Sequence, residues 1–162
     1  MDIFKASERL MSMDDATWAR HANPWSVGLR FTCLPLIALA IWSRDWIGWW
    51  ALLPVALSVL WTWWNPRMVG PPKSTDNWAS HGVMGERVFL ARKEHAIPRH
   101  HEVMALILTW ASAIGAVILI YGLIALNFWA VMAGMVATIL PKLWFVDRMV
   151  WLYRDANGVQ GR

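Results

Sequence analysis

Residues 103–125, VMALILTWASAIGAVILIYGLIA, and residues 127–144, NFWAVMAGMVATILPKLW, decide the fold of this chain. The first segment has no charged residue, and the second has only Lys142, close to its end. Each is close in length to the roughly 20 apolar residues with which a helix crosses the hydrocarbon core of a membrane. The connection at Leu126 and Asn127 is so short that the two helices must form an antiparallel hairpin. The sequence therefore predicts a membrane-spanning helical hairpin in the second half of the chain.

A similar pair of apolar segments occupies the first half of the chain, at residues 25–43 and 46–64. Over all 162 residues, 57% are hydrophobic and only 16% are charged, which is outside the range of an ordinary soluble domain. We therefore predict an all-α membrane protein in which residues 1–162 form a single membrane domain. Four transmembrane helices, at 25–43, 46–64, 103–125 and 127–144, are expected to pack as two hairpins.

The positive charges predict how such a protein is oriented. Of the fifteen Lys and Arg residues, all except Arg44 lie within residues 1–30, 65–102 or 142–162, which four spans would place on one side. Because Lys and Arg are concentrated in cytoplasmic loops, both termini are predicted to be cytoplasmic. The fourteen Trp residues mostly fall near the predicted span ends, which is typical of aromatic belts at membrane surfaces. Topology thus accounts for the formal net charge of +4, and we predict no nucleic-acid partner.

The cytoplasmic connection, residues 65–102, is too short to build a core of its own. Within it, residues 78–95 mix apolar and basic side chains and are interrupted by Gly82 and Gly85, which predicts one or two short amphipathic helices on the membrane surface. Residues 1–22 are expected to do the same, with Asp14 as a helix cap.

Polar groups within or beside apolar spans are costly unless they are paired or hydrated, so they indicate where a ligand could bind. Arg30 leaves only a short uncharged stretch in the first span, and Lys142 raises the same problem near the end of the fourth. One interpretation is that both long side chains reach the membrane surface as anchors. The other is a polar pocket open to the cytoplasm and suited to an anionic headgroup, a phosphate or a carboxylate. The residues assigned to ligand binding are His21, Arg30, Asn65, Glu86, Lys142, Asp147 and Arg148.

The histidines give little indication of a metal or cofactor. All five lie outside the predicted spans, which argues against a haem held in the bundle by axial histidines. The run that contains His95, His100 and His101 lacks the helical spacing of known metal sites, and Pro98 interrupts it. The adjacent His100 and His101 are expected to point to different helix faces. We therefore predict a solvated hinge before the third span, no metal site, and no identifiable cofactor.

No nucleophile elbow, phosphate loop or dinucleotide fingerprint is present, so no catalytic residue can be assigned. The single cysteine, Cys33, excludes both an intramolecular disulfide and a Cys-rich metal site.

Several motifs occur in order along the chain: HANPWS at residues 21–26, Asn65-Pro66, and KLWFVDRM at residues 142–149. With these motifs the chain resembles an uncharacterised family of small bacterial and archaeal polytopic membrane proteins. The resemblance implies a location in the bacterial or archaeal cytoplasmic membrane and implies no activity.

Three functional hypotheses follow from the sequence. The leading one is a protein that binds a lipid-like or anionic ligand, or a partner protein, through its cytoplasmic face. The second is a membrane enzyme that acts on a lipidic substrate, with Glu86, His21 or Asp147 as general acid or base. The third is a small transporter, which would need to be oligomeric because so few polar residues lie within the spans. The expected partners are the lipid bilayer and either a second copy of the chain or another membrane protein.

Overall fold

The computed structural model describes residues 14–158, and within this range every regular element is helical. The predicted surface helix over residues 1–22 therefore lies partly outside the described residues. The elements are α1 (Asp15–His21), α2 (Pro24–Arg30), α3 (Cys33–Trp42), α4 (Arg44–Ile47), a 3-10 turn (Gly48–Ala51), α5 (Leu52–Met68), α6 (Trp78–Leu90), α7 (Arg99–Ala125) and α8 (Phe128–Ala156).

Helices α7 and α8 form the hairpin that the sequence predicts. The chain reverses where Leu126 adopts a left-handed conformation, with φ of 50°, and the side chain of Asn127 then caps α8 by accepting a hydrogen bond from the Ala130 amide at 3.0 Å. The two helix backbones are so close that a Cβ on Gly115 or Gly134 would overlap the opposite backbone. Small residues therefore form the interface inside this hairpin.

The first half of the chain also folds back on itself. Phe31 and Thr32 keep right-handed helical backbone angles, so α2 and α3 follow nearly one helical course over residues 24–42. After the turn that contains Gly48, at a φ of 55°, the chain reverses and α5 packs against α3. The two halves meet where α3 contacts both α7 and α8.

Three segments of the described chain are long and apolar enough to cross a membrane: Pro24–Asn65, Arg99–Ala125 and Phe128–Ala156. Four were expected, and the structure has three, because the predicted spans 25–43 and 46–64 both fall within the first segment. The helices of that segment are short for a hydrocarbon core of about 30 Å, since α3 is about 15 Å long and α5 about 25 Å. Only the combined course of α2 and α3 reaches about 28 Å.

The connection between α5 and α7 contains one helix, α6, which continues through Gly82 and Gly85. Of the one or two helices predicted here, the structure has one, and the expectation that these glycines interrupt the segment was wrong. They face α8 instead, where a Cβ on Gly85 would overlap the Met149 carbonyl and one on Gly82 would lie 2.7 Å from a methyl group of Val146. The absence of two side chains therefore lets α6 dock closely on α8.

Polar contacts cap α1 and tie the short link between α1 and α2 to Gly70 and α6. Asp14 caps α1 by accepting a hydrogen bond from the Thr17 amide at 2.7 Å, as predicted. The side chain of Asn23, within the HANPWS motif, donates to the Gly70 carbonyl at 2.9 Å. From α6, the buried hydroxyl of Ser80 donates to the Ala22 carbonyl at 2.7 Å.

Within residues 14–158 the buried apolar residues form three clusters instead of one continuous core. One joins α1, α2 and α6, a second joins α6, α7 and α8, and a third joins α3 to the α7–α8 hairpin. Much of the remaining apolar surface faces outward, including Trp49, which is 87% exposed. Such an outer surface is what a bilayer would cover.

The contact at Gly85 can be tested by substitution. Gly85→Ala should lower the free energy of unfolding by about 3 kcal/mol, the upper end of typical overpacking costs, because the added methyl group overlaps backbone that cannot move easily. Gly28→Ala is the matched control, because Gly28 is exposed on a helix and no atom lies within 4 Å of the added methyl group. This substitution should raise the free energy of unfolding by up to about 1 kcal/mol, since Ala has the higher helix propensity. Thermal unfolding in detergent measures both, and equal effects would contradict the proposed packing.

Candidate functional site

A cavity of about 310 Å³ lies between the α2–α3 course, α6 and the α7–α8 hairpin. Three charged residues line it: Arg30 from α2, Glu86 from α6 and Lys142 from α8. Two hydroxyl-bearing residues, Ser112 and Thr138, also line it, and the Ser112 hydroxyl donates to the Thr138 carbonyl at 3.0 Å. The rest of the wall is apolar apart from Gly82 and consists of Val27, Phe31, Leu34, Val83, Ile139 and Val146.

Neither cation of the cavity forms a direct ion pair with a carboxylate in the described part of the chain. Glu86 lies on the same wall and interacts with Arg30 electrostatically without forming a salt bridge to it. The Nε atom of Arg30 is buried and has no hydrogen-bond partner within residues 14–158. The Lys142 ammonium lies 4.8 Å from the centre of the Phe145 ring. Hydrogen-bonding capacity at this cavity is therefore left unused by the described protein groups.

His21 is buried close to these cations. Its side chain is 5% exposed, packs edge-on against Trp18, and has an Nδ1 atom without a hydrogen-bond partner in the described part of the chain. Burial lowers the pKa of His21 to about 2, and the positive charges of Arg30 and Lys142 act in the same direction. His21 is therefore neutral at physiological pH.

Asn65 does not line the cavity. It is completely buried on α5, and neither its amide nitrogen nor its amide oxygen has a partner among residues 14–158. The hydroxyl of Ser26 on the contacting helix α2 is in the same condition. Buried polar groups of this kind are normally satisfied by ordered water or a ligand, which marks the α2–α5 contact as a second polar region.

Asp147 and Arg148 lie away from the cavity. Asp147 accepts a hydrogen bond from the Trp78 indole at 2.9 Å and lines a separate groove beside that ring. Arg148 has a buried Nε atom without a partner among the described residues and interacts electrostatically with His101. Helix geometry explains both positions. Lys142 and Val146 are four residues apart and share the cavity face of α8, whereas Asp147 and Arg148, the next two residues, lie on other faces.

The apolar wall was not predicted, although the sequence contains a signal for it. The lining residues of the α2–α3 course follow the spacing i, i+3, i+4 and i+7, and those of α8 follow i, i+1, i+4 and i+8. Residues at such spacings share a helix face, so this pattern could have identified the lining residues from the sequence. They are residues 27, 30, 31 and 34 in the first set and 138, 139, 142 and 146 in the second.

A separate cluster lies where α7 begins and α8 ends. The rings of His100 and His101 are 4.1 Å apart between centroids, so the expectation that they point to different faces was wrong. In the first turn of α7 both rings reach toward the C-terminal turn of α8, where His101 Nε2 lies 2.8 Å from Asp155 Oδ2. Of the three histidines considered in the sequence, His95 is not part of this group.

The fold and the cavity of residues 14–158 define a class: this part of the protein is all-helical, with three segments able to cross a membrane and a charged, largely apolar pocket between helices. The chain belongs to a family described as "Family of unknown function (DUF6653)", which it matches over residues 5–161. No significant match is found among curated proteins or among solved structures.

The buried neutral state of His21 predicts a pH-dependent stability. Because its pKa is lower in the folded protein than the usual value near 6.5, protonation favours the unfolded chain. This contribution is fully present above about pH 6.5 and is lost on acidification, at up to about 1.4 kcal/mol for each pH unit below that value. His21→Phe, which keeps a ring beside Trp18, should reduce the drop in the thermal unfolding midpoint between pH 7.5 and pH 5. An identical drop in both proteins would contradict this assignment.

Proposed function

We propose that this is a polytopic protein of the cytoplasmic membrane that binds an anionic amphiphile, such as an anionic lipid, in the cavity formed by Arg30, Glu86 and Lys142. The observation that carries the proposal is the presence of two cations without ion pairs in a largely apolar cavity, among the residues that the structure describes. Charged groups next to a hydrocarbon environment are costly unless a counter-charge reaches them. An anionic ligand would supply that counter-charge.

The charges of the cavity favour an anion over a cation or a neutral ligand. Arg30 and Lys142 contribute two positive charges and Glu86 one negative charge, which leaves a net charge of +1. Arg30 can form paired hydrogen bonds to a phosphate or carboxylate, and Lys142 can act as a point charge beside it. Glu86 can accept a hydrogen bond from a hydroxyl group of a headgroup.

The apolar part of the wall favours a ligand with a hydrocarbon portion. On α8 the lining extends from Thr138 to Val146, which is about 12 Å of helix, and apolar residues line the cavity on both sides of Lys142. A free inorganic anion would leave this surface uncovered. The cavity volume is at the lower end of the roughly 300–1,000 Å³ typical of small-molecule sites, so it would hold a headgroup and the first part of a chain.

For the topology, we propose that both halves of the chain cross the membrane as hairpins, with the termini in the cytoplasm. Support comes from the reversal between α3 and α5 and from the continuous helical course of residues 24–42. The distribution of Lys and Arg favours cytoplasmic termini, because Arg44 is the only one of the fifteen that lies at the turn end of the first hairpin. This arrangement puts the cavity nearer the cytoplasmic leaflet.

Ligand binding can be tested by native mass spectrometry of the full chain in detergent, titrated with phosphatidylglycerol or phosphatidylcholine. The anionic lipid should bind in preference to the zwitterionic one. Arg30→Gln and Lys142→Gln should each weaken its binding about tenfold or more, the loss of one charge-assisted hydrogen bond. The exposed cations Arg20 and Lys73 supply matched controls, since Arg20→Gln and Lys73→Gln should leave binding unchanged.

Other outcomes distinguish the alternatives. Equal binding of both lipids, or equal loss in the control variants, would contradict the proposed site. Inorganic phosphate that stabilises the protein as well as the lipid does, in an Arg30-dependent way, would identify a free anion as the ligand. Recovery of the added lipid in a chemically altered form would favour the enzyme hypothesis.

The topology can be tested by cysteine labelling in intact cells and inverted vesicles. In a Cys33→Ser background, Asp45→Cys and Phe128→Cys should react with a membrane-impermeant maleimide from outside. Ser74→Cys and Ala96→Cys should react only from the cytoplasmic side; all four positions are exposed in the protein. Labelling of Asp45→Cys from the cytoplasmic side would show that the first hairpin does not cross.

A further inference from the structure

The histidine and carboxylate cluster at the base of the α7–α8 hairpin has the composition of a metal-binding site. One ring nitrogen each of His100 and His101 and one carboxylate oxygen of Asp155 all lie within 4.8 Å of one another. The ligand residues come from the first turn of α7 and the last turn of α8, which the antiparallel hairpin brings together. Atoms bound to one cation at about 2.1 Å lie about 3–3.5 Å apart, so small side-chain rotations would close the site.

We propose that His100, His101 and Asp155 bind one divalent first-row transition-metal cation of the Zn²⁺ class. Two imidazoles and one carboxylate are ligands that these cations prefer over Ca²⁺ or Mg²⁺, which select oxygen. Three protein ligands leave at least one coordination position for water. Asp155 supplies the one negative charge of the ligand set.

The position of His101 fits ligation through Nε2. Its ring is fully buried. The contact between His101 Nε2 and Asp155 Oδ2, at 2.8 Å, holds the ring with Nε2 toward the proposed site. When Nε2 binds the cation, the single ring proton resides on Nδ1 and the imidazole stays neutral. Because Nδ1 is buried and has no hydrogen-bond partner within residues 14–158, this proton limits the affinity. His100 and Asp155 are exposed and free to adjust around the cation.

The positive charge of Arg148 opposes the cation. Arg148 lies near enough to His101 to interact with it electrostatically. This repulsion limits affinity but does not block the site, because Asp155 contacts the His101 ring directly. A bound cation would tie the start of α7 to the end of α8 and stabilise the open end of the hairpin, opposite the turn at Leu126.

The test is a titration of the tag-free full chain in detergent with Co²⁺, after removal of metal with a chelator. The expected result is one Co²⁺ per chain with visible absorption typical of nitrogen and oxygen ligands, and an increase in thermal stability on addition of Zn²⁺. His100→Ala and Asp155→Asn should each weaken binding at least tenfold. Both positions are exposed, so the variants should still fold.

His95→Ala is the matched control, because His95 is an exposed histidine a few residues before the cluster and outside it. Co²⁺ affinity should be unchanged in this variant. Absence of binding to the unmodified chain, or binding that survives both His100→Ala and Asp155→Asn, would overturn the proposal. Equal loss in His95→Ala would also overturn it, since the metal would then be held by surface histidines in general. The outcome is independent of lipid binding, because none of the three residues lines the cavity.

Discussion

Close backbone packing between α7 and α8 is the interaction on which the rest of the structure depends. In a bilayer, apolar side chains gain little by leaving lipid for one another, so helices associate through tight packing and polar contacts. Gly115 and Gly134 provide that packing by letting the two backbones touch. The first half of the chain is attached to this hairpin by Arg44, whose guanidinium donates hydrogen bonds to the carbonyls of Leu123 and Ile124. These carbonyls lie in the last turn of α7, where the helix itself supplies no donor for them.

The length of α8 explains why both proposed sites are associated with it. The helix continues well past its contact with the outer part of α7, and its second half supplies the surface on which α6 docks at Gly85. Lys142 lines the cavity from this half of α8. Asp155 contacts the histidine cluster from the last turn of the same helix. The two residues are thirteen positions apart, or about 20 Å along the helix, so each site can be occupied without the other.

The charged part of the cavity could be predicted from the sequence because charges near apolar spans are rare and costly. Arg30 and Lys142 were selected in this way and Glu86 as an acidic group that they would meet, and the structure places all three on one cavity. Asp147 was selected by the same criterion but lies elsewhere, because a charge count does not consider which helix face a residue occupies. The error at α6 had a similar cause: Gly85 was interpreted by its low helix propensity, whereas tertiary packing overrides propensity at a close helix contact.

The sequence by itself determined the all-helical architecture, the α7–α8 hairpin and the caps at Asp14 and Asn127, because each depends on local composition, length or a side chain within one turn. Only the tertiary structure decided how α2, α6 and α8 converge on a cavity, and how His101 meets Asp155 across 54 positions of sequence. These arrangements depend on where helices approach and which faces they present. Such contacts are set by packing between distant segments, so local spacing indicates which residues share a helix face but not which helices meet there.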